Sequence, residues 1–249
     1  MSAGLASIWR HPVKGLGRER LDGAALEAGR TLPWDRHWAV AHEAARLDGA
    51  GWQPCRNFLR AAGSPALMAV EARLDEARET VTLSHPERPT VALHPERDAE
   101  ALVAWARALA AEGRPAPAGV RRAEGQGLTD AGEPFLSLHG AASHRAVEAR
   151  LGRDLSILRW RGNLWVEGLE PWEEMGWVGR RVRVGEAELE VVEPIGRCRA
   201  TEANPETGRR DADTLGALAG LRDGATEFGV YARVVRGGPA AVGDAVEAL

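Results

Sequence analysis

Apolar and polar positions alternate with a period of two through much of the chain, and only a few stretches carry the three-to-four-residue spacing of an amphipathic helix. In the first hundred or so residues the alternation predicts short strands over Leu5 to Arg10, Arg36 to Ala41, Thr80 to Ser84 and Thr90 to Leu93, the last two joined by a proline-rich turn. Asp98 to Glu112 differs. Leu102, Val103, Trp105, Ala106 and Leu109 recur at helical spacing behind an aspartate suited to an N-cap, which predicts a helix. Gly113-Arg-Pro-Ala-Pro-Ala-Gly119 stops it and has linker composition, so a boundary is expected there, with 1–118 and 119–249 as two domains.

Beyond that boundary the pattern predicts a short strand near Val120, a helix over Gly140 to Leu151 and strands over Leu155 to Trp160 and Asn163 to Glu167. Residues 181–193 alternate apolar and charged side chains and fold back at Gly185. Further strands are expected over Phe228 to Val235 and Val242 to Ala248, with a short helix over Asp213 to Leu221. Short strands that do not alternate regularly with full-length helices indicate a mainly β (α+β) chain with a barrel-like domain, not a parallel doubly wound sheet. Four of the nine tryptophans, Trp160, Trp165, Trp172 and Trp177, fall in this second part and suit a barrel core.

The alternation breaks at Pro194, where the chain reads PIGRCRATEANPETGRRD. Pro194 lacks a ladder donor and Gly196 lacks a side chain, so the backbone is expected to leave the sheet before Cys198. Asn204-Pro-Glu-Thr-Gly208 supplies turn chemistry beyond it. Cys198 therefore belongs to a loop or strand end between Arg197 and Arg199. Two nearby cations would favour the thiolate, which attacks electrophiles and binds soft metals. In a fully extended chain, however, both arginines point away from the thiol. Free cysteines are also among the most buried residues, so a reactive and an inert thiol both remain open.

Composition narrows the function classes. The hydrophobic fraction of 44% and charged fraction of 27% over 249 residues are those of an ordinary globular protein. A formal net charge of -4, with basic residues spread along the chain, indicates neither nucleic acid nor a membrane surface as partner. Cys55 and Cys198 are the only cysteines and show no metal-ligand spacing, which argues for a reducing compartment without disulfides or structural zinc. With no signal-like N-terminus and no spanning apolar run, the cytoplasm is the expected location. The sequence HPER occurs twice, at His85 and His94, and reads as turns, not as a metal site.

One compositional anomaly points to chemistry: Lys14 is the only lysine in the chain. It lies in His11-Pro-Val-Lys-Gly-Leu-Gly17, where glycines let backbone N–H groups approach an anion and the ammonium supplies a point charge suited to phosphate. The spacing is not that of a P-loop, and a solvated turn lysine is the plain alternative. Asp35-Arg36-His37-Trp38 and Arg159-Trp-Arg161-Gly-Asn163 add cations and an amide. With Cys198 they form an inventory suited to an anionic ligand that carries phosphate and a soft or electrophilic centre. Arg36 fits a local ion pair with Asp35 equally well, and Asn163 fits a turn.

The order and wording of these clusters resemble the MOSC family, named for the C-terminal domain of molybdenum-cofactor sulfurases. Ile8 to Lys14 (IWRHPVK) and Trp34-Asp-Arg36-His-Trp38 resemble its N-terminal β-barrel segment. Arg161-Gly-Asn163, Glu170 to Trp177, the RC…NPETG stretch and Val242-Gly-Asp244 resemble the MOSC domain. The resemblance implies a MOSC-type β-barrel preceded by a smaller β-barrel-like domain, and a molybdenum-pyranopterin cofactor with Cys198 as metal ligand and catalytic residue. Lys14 and Arg36 would hold the pterin phosphate, and Arg161, Asn163, Arg197 and Thr201 would complete the pocket. It further implies reduction of N-hydroxylated substrates with electrons from a separate protein such as a ferredoxin or flavin reductase. Gly15 stands where the family has serine. Two other functions remain open: a sulfur carrier with a persulfide on Cys198, and a cysteine nucleophile served by His139 or His144.

Overall fold

The period-two stretches pair into four sheets in the computed structural model, which describes residues 3–49 and 51–249. In chain order the first elements are β1 (Gly4–Arg10), β2 (Val13–Lys14), β3 (Glu19–Leu21), β4 (Gly23–Leu26) and β5 (Trp38–His42). Next come β6 (Glu71–Asp75), β7 (Thr80–His85), β8 (Arg88–Leu93), α1 (Ala99–Arg107) and β9 (Pro117–Arg122). The remainder comprises β10 (Leu136–Gly140), α2 (Ala141–Leu151), β11 (Leu164–Glu167), β12 (Arg181–Val184), β13 (Ala187–Gly196), α3 (Thr214–Leu221), β14 (Glu227–Arg236), β15 (Gly238–Ala241) and β16 (Val246–Ala248). The mainly β expectation holds, and no helix among the described residues is long and apolar enough to cross a membrane.

The main sheet has eight strands in the order β16-β12-β13-β14-β10-β11-β1-β3. Its pairs are antiparallel except β10 with β11. A bridge between Gly4 and Ala245 brings the approach to β16 back onto β1, curling the sheet toward a barrel. Alternation decides what it encloses: Ile8, Leu138, Leu164, Val182, Leu189 and Val230 are fully buried in its core. Full burial of each such side chain contributes about 1.5–3 kcal/mol.

A second core lies between α1 and the smaller sheets β2-β5-β9 and β6-β7-β8, where Leu102 and Ala106 meet Val13, Trp38, Leu67 and Val81. Helix α1 is shorter than its apolar period predicts. After Arg107 the N–H groups of Leu109 and Ala110 bond three residues back, which tightens the last turn while Leu109 stays buried.

Three expectations are corrected. Leu155 to Trp160 is not a strand: Ile157–Trp160 forms a 3-10 turn, started by the Ser156 hydroxyl accepting from the Leu158 N–H at 3.3 Å and ended by Arg161 in a left-handed conformation. Strand β13 runs through Pro194 to Gly196, because register shifts opposite β14 absorb the missing proline N–H. Val242 to Ala248 is shortened to Val246–Ala248: Gly243 turns at φ 97°, and the Asp244 carboxylate accepts from the Ala241 N–H at 2.7 Å, so a turn separates β15 from β16.

Candidate functional site

The irregular end of β13 sets the position of the thiol. After Gly196 the chain leaves the sheet, and Cys198 stands exposed in extended backbone before the 3-10 turn Arg199–Glu202. Its carbonyl accepts both the N–H and the hydroxyl of Thr201 at 3.1 Å, which fixes the turn. Two buried arginines anchor this segment from below. Arg159 donates to the carbonyl of Glu202 at 3.1 Å and pairs with Asp211 at 2.5 Å; Arg18 donates to the carbonyls of Val70 at 2.7 Å and Pro205 at 3.0 Å.

Cys198 opens onto a cavity of about 280 Å³ whose walls come from both halves of the chain. All seven residues singled out from the sequence line it: Lys14, Arg36, Arg161, Asn163, Arg197, Cys198 and Thr201. Cys55, Asp130 and Tyr231 also line it and were not singled out as site residues. Asp130 sits in an irregular stretch between β9 and β10, where no periodicity marks a residue as inward-facing.

Lys14 is not a solvated turn residue. It is only 4% exposed, in β2 beside β5, and its ammonium donates to Asp130 at 2.5 Å. Desolvation holds the ammonium below its ordinary pKa, while the Asp130 carboxylate acts in the opposite sense. Arg36 serves both readings made of it: it pairs with Asp35 behind the wall and also lines the cavity. Its backbone is left-handed at φ 50°, and its guanidinium donates to the Arg161 carbonyl at 3.0 Å. Asp35 is fully enclosed and accepts the His11 N–H at 2.8 Å; despite its burial, the Arg36 charge holds its carboxyl well below the usual range. Burial, with the Arg161 and Arg36 charges, lowers His11 to about 3, so its ring is neutral at physiological pH.

Arg161 and Arg197 have no carboxylate within salt-bridge distance among the described residues. Arg161, at φ 50°, donates to the Gly17 carbonyl at 3.3 Å. Desolvation and the neighbouring Arg36 and Arg18 charges lower it to about 9. Arg197 donates to the carbonyls of Phe228 and Trp160 and lies 5.7 Å from both ring centroids; desolvation lowers it to about 10. Both remain cations at neutral pH, so each presents positive charge to the cavity without a carboxylate in salt-bridge contact.

The other two residues are held by the fold. The Asn163 amide accepts from the Ser137 N–H and hydroxyl at 3.1 Å and donates to the Trp9 carbonyl at 3.1 Å. The Thr201 hydroxyl lies 2.6 Å from that of Thr214. Neither Cys198 neighbour bonds the thiol, since Arg197 is committed as above and Arg199 pairs with Glu202 at 2.9 Å.

Neither histidine proposed as a base for Cys198 lines the cavity. The His144 Nε2 is 2.9 Å from the Leu155 carbonyl, and its Nδ1 accepts from Trp160. His139 is buried behind Arg197. The HPER histidines sit at turns: His85 Nδ1 accepts from the Glu87 N–H, and His94 Nδ1 from those of Glu96 and Arg97. His94 also approaches Glu79 and Glu96 with metal-ligand geometry, but Arg122 already pairs with both carboxylates, at 2.9 and 3.0 Å.

Residues 2–116 match the MOSC N-terminal beta barrel domain and residues 131–247 the MOSC domain, so a mainly β chain carries both in that order. The chain belongs to the MOSC family. Molybdenum cofactor sulfurase of Drosophila grimshawi is 32% identical over 113 residues, 45% of this chain and 14% of the sulfurase. Mitochondrial amidoxime-reducing component 1 of Danio rerio is 39% identical over 67 residues, 27% of this chain and 20% of that protein. The aligned stretches therefore span a fifth or less of these relatives. Among solved structures, the YUAD protein from Bacillus subtilis aligns over 99% of this chain and 94% of its own, with a TM-score of 0.47 and 12% identity. YiiM from Geobacillus stearothermophilus aligns over 46% of this chain and 53% of its own, with a TM-score of 0.37 and 19% identity.

Proposed function

We propose that this protein binds a molybdenum-pyranopterin cofactor and reduces N-hydroxylated small molecules with electrons from a separate donor protein, a ferredoxin or flavin reductase. One observation carries the reading: a single cavity holds an exposed thiol, Cys198, and six basic side chains, among them Arg161 and Arg197, which have no carboxylate within salt-bridge distance among the described residues. That donor set fits a ligand with a phosphate at one end and a soft metal at the other, because guanidinium and ammonium groups grip phosphate and thiolate binds soft metals. Cys198 would be the protein ligand to the metal. Lys14, Arg36, Arg161 and Arg197 would surround the anionic portion, with Asn163 and Thr201 keeping the two loops in place. The cofactor, when bound, would supply two-electron removal of oxygen from the substrate nitrogen. The protein's share is to neutralise the ligand's charge and orient it.

The deciding measurement compares wild type with Cys198→Ala, both purified from a host that makes the cofactor. Wild type should retain molybdenum and pterin, Cys198→Ala should lose the metal, and a metal-free wild type would remove the reading. The exposure of Cys198 also favours a second function, a sulfur carrier with a persulfide on that residue. It is distinguished by cyanide-releasable sulfur on Cys198 and no turnover of benzamidoxime with a supplied electron donor.

A further inference from the structure

The His139 side chain is fully buried on β10, with its ring centroid 5.0 Å from that of Trp165 and 5.7 Å from that of Phe228. Two glycines make room for it. A Cβ at Gly162 would fall 2.1 Å from its Cδ2, and one at Gly229 would fall 2.0 Å from its Nδ1. Nδ1 lies 3.3 Å from Nη2 of Arg197. A guanidinium only donates, so Nδ1 accepts and the ring proton resides on Nε2. Nε2 is buried with no partner among the described residues. An unpaired buried N–H is costly, and a purely apolar side chain would fill the same slot without that cost. Packing therefore does not account for a histidine here, whereas its acceptor does.

We propose that His139 is a positioning residue for anion binding: its Nδ1 fixes the rotation of the Arg197 guanidinium that lines the cavity. Arg197 has five N–H groups. Nε and Nη2 donate to the Phe228 carbonyl, Nη1 to the Trp160 carbonyl and Nη2 also to His139. That accounts for four and leaves one Nη1 N–H without a protein partner, as a fixed donor for a ligand oxygen. Without His139 the plane would lose the constraint on its Nη2 edge. The inference rests on the anion-binding reading of the cavity.

The test uses inorganic phosphate as probe, titrated calorimetrically into wild type, His139→Asn and His139→Leu. Asparagine places a carbonyl oxygen near the position of Nδ1; leucine has nearly the same volume and no acceptor. Both lose the ring contacts, so a merely structural role would affect them alike. Phosphate affinity should stay within about threefold of wild type in His139→Asn and fall about tenfold or more in His139→Leu, the scale of a hydrogen bond to a charged group. His139→Phe keeps the ring between Trp165 and Phe228 and should weaken binding as leucine does, which covers the case in which the leucine variant does not fold. Equal affinities for the asparagine and acceptor-free variants would overturn the positioning role alone. Wild type that binds no phosphate would overturn the anion-cavity reading and this inference with it.

Discussion

Asp130, the one carboxylate among the described residues lining the cavity, holds the ammonium of the chain's only lysine, Lys14, at 2.5 Å. The two partners differ sharply in environment: the Lys14 side chain is 6% exposed and that of Asp130 67%. Asp130 can therefore be solvated when displaced, whereas Lys14 cannot leave. An incoming anion meets a like charge next to its best cation. Asp130→Asn should accordingly tighten phosphate binding by about threefold to tenfold, and Lys14→Ala should weaken it. Weaker binding in Asp130→Asn would mean that the carboxylate orients the lysine instead of competing for it.

Asp35 is a costly carboxylate to remove. It is enclosed and pairs with both the Arg36 guanidinium and the His11 backbone N–H. Asp35→Ala leaves a half-buried cation and a buried donor unpaired, a loss of about 3–5 kcal/mol in urea unfolding. A loss below about 1 kcal/mol would show that Arg36 finds another partner.

Acid should weaken the fold before its carboxylates titrate. His11 titrates at about 3 in the folded chain and at its ordinary 6.5 when unfolded, and burial lowers His139 as well. Between those values the unfolded chain binds protons that the folded chain refuses. The stability contributed by the neutral rings is complete above pH 6.5 and is lost as pH falls toward the folded-state values. At pH 5 His11 alone removes about 2 kcal/mol relative to pH 7. Unfolding free energies that match at pH 7 and pH 5 would contradict this.

Gly15, where the family resemblance leads one to expect serine, is constrained by its surroundings. Its backbone is at φ 76°, and a Cβ there would lie 2.6 Å from the Leu59 carbonyl oxygen. Gly15→Ser should therefore destabilise the protein by about 1 kcal/mol or more. Denaturation at constant pH measures it, and an unchanged midpoint would show that the Leu59 backbone yields.

The legible parts of the sequence are those in which periodicity and motif agree. β1, β7, β14 and the turn at Gly185 follow from alternation and turn residues; of the seven cavity residues, Lys14, Arg36, Arg161, Asn163 and Cys198 stand in three polar clusters and at one cysteine, whereas Arg197 and Thr201 enter the pocket through the family resemblance. Ile157–Trp160 was misread because a serine cap outweighed an apolar run suited to a strand. Burial of Lys14 was not legible either, since its counter-charge lies 116 residues away. In the sequence His139 figures only as a possible base for Cys198; the two glycines and the guanidinium packed against it in three dimensions give it a different role.

The place of β1 in the main sheet bears on how this chain can be cut or copied. β1 covers the edge of β11, although more than 140 residues separate them in sequence, and the approach to β16 returns to its first residue. A fragment beginning after residue 118 would expose the β11 edge as a template for intermolecular pairing. Such a fragment should be recovered as aggregates or as a strand-exchanged oligomer. Supplying residues 3–21 in trans, as a peptide that restores the missing edge, would be the natural route to a dispersed form.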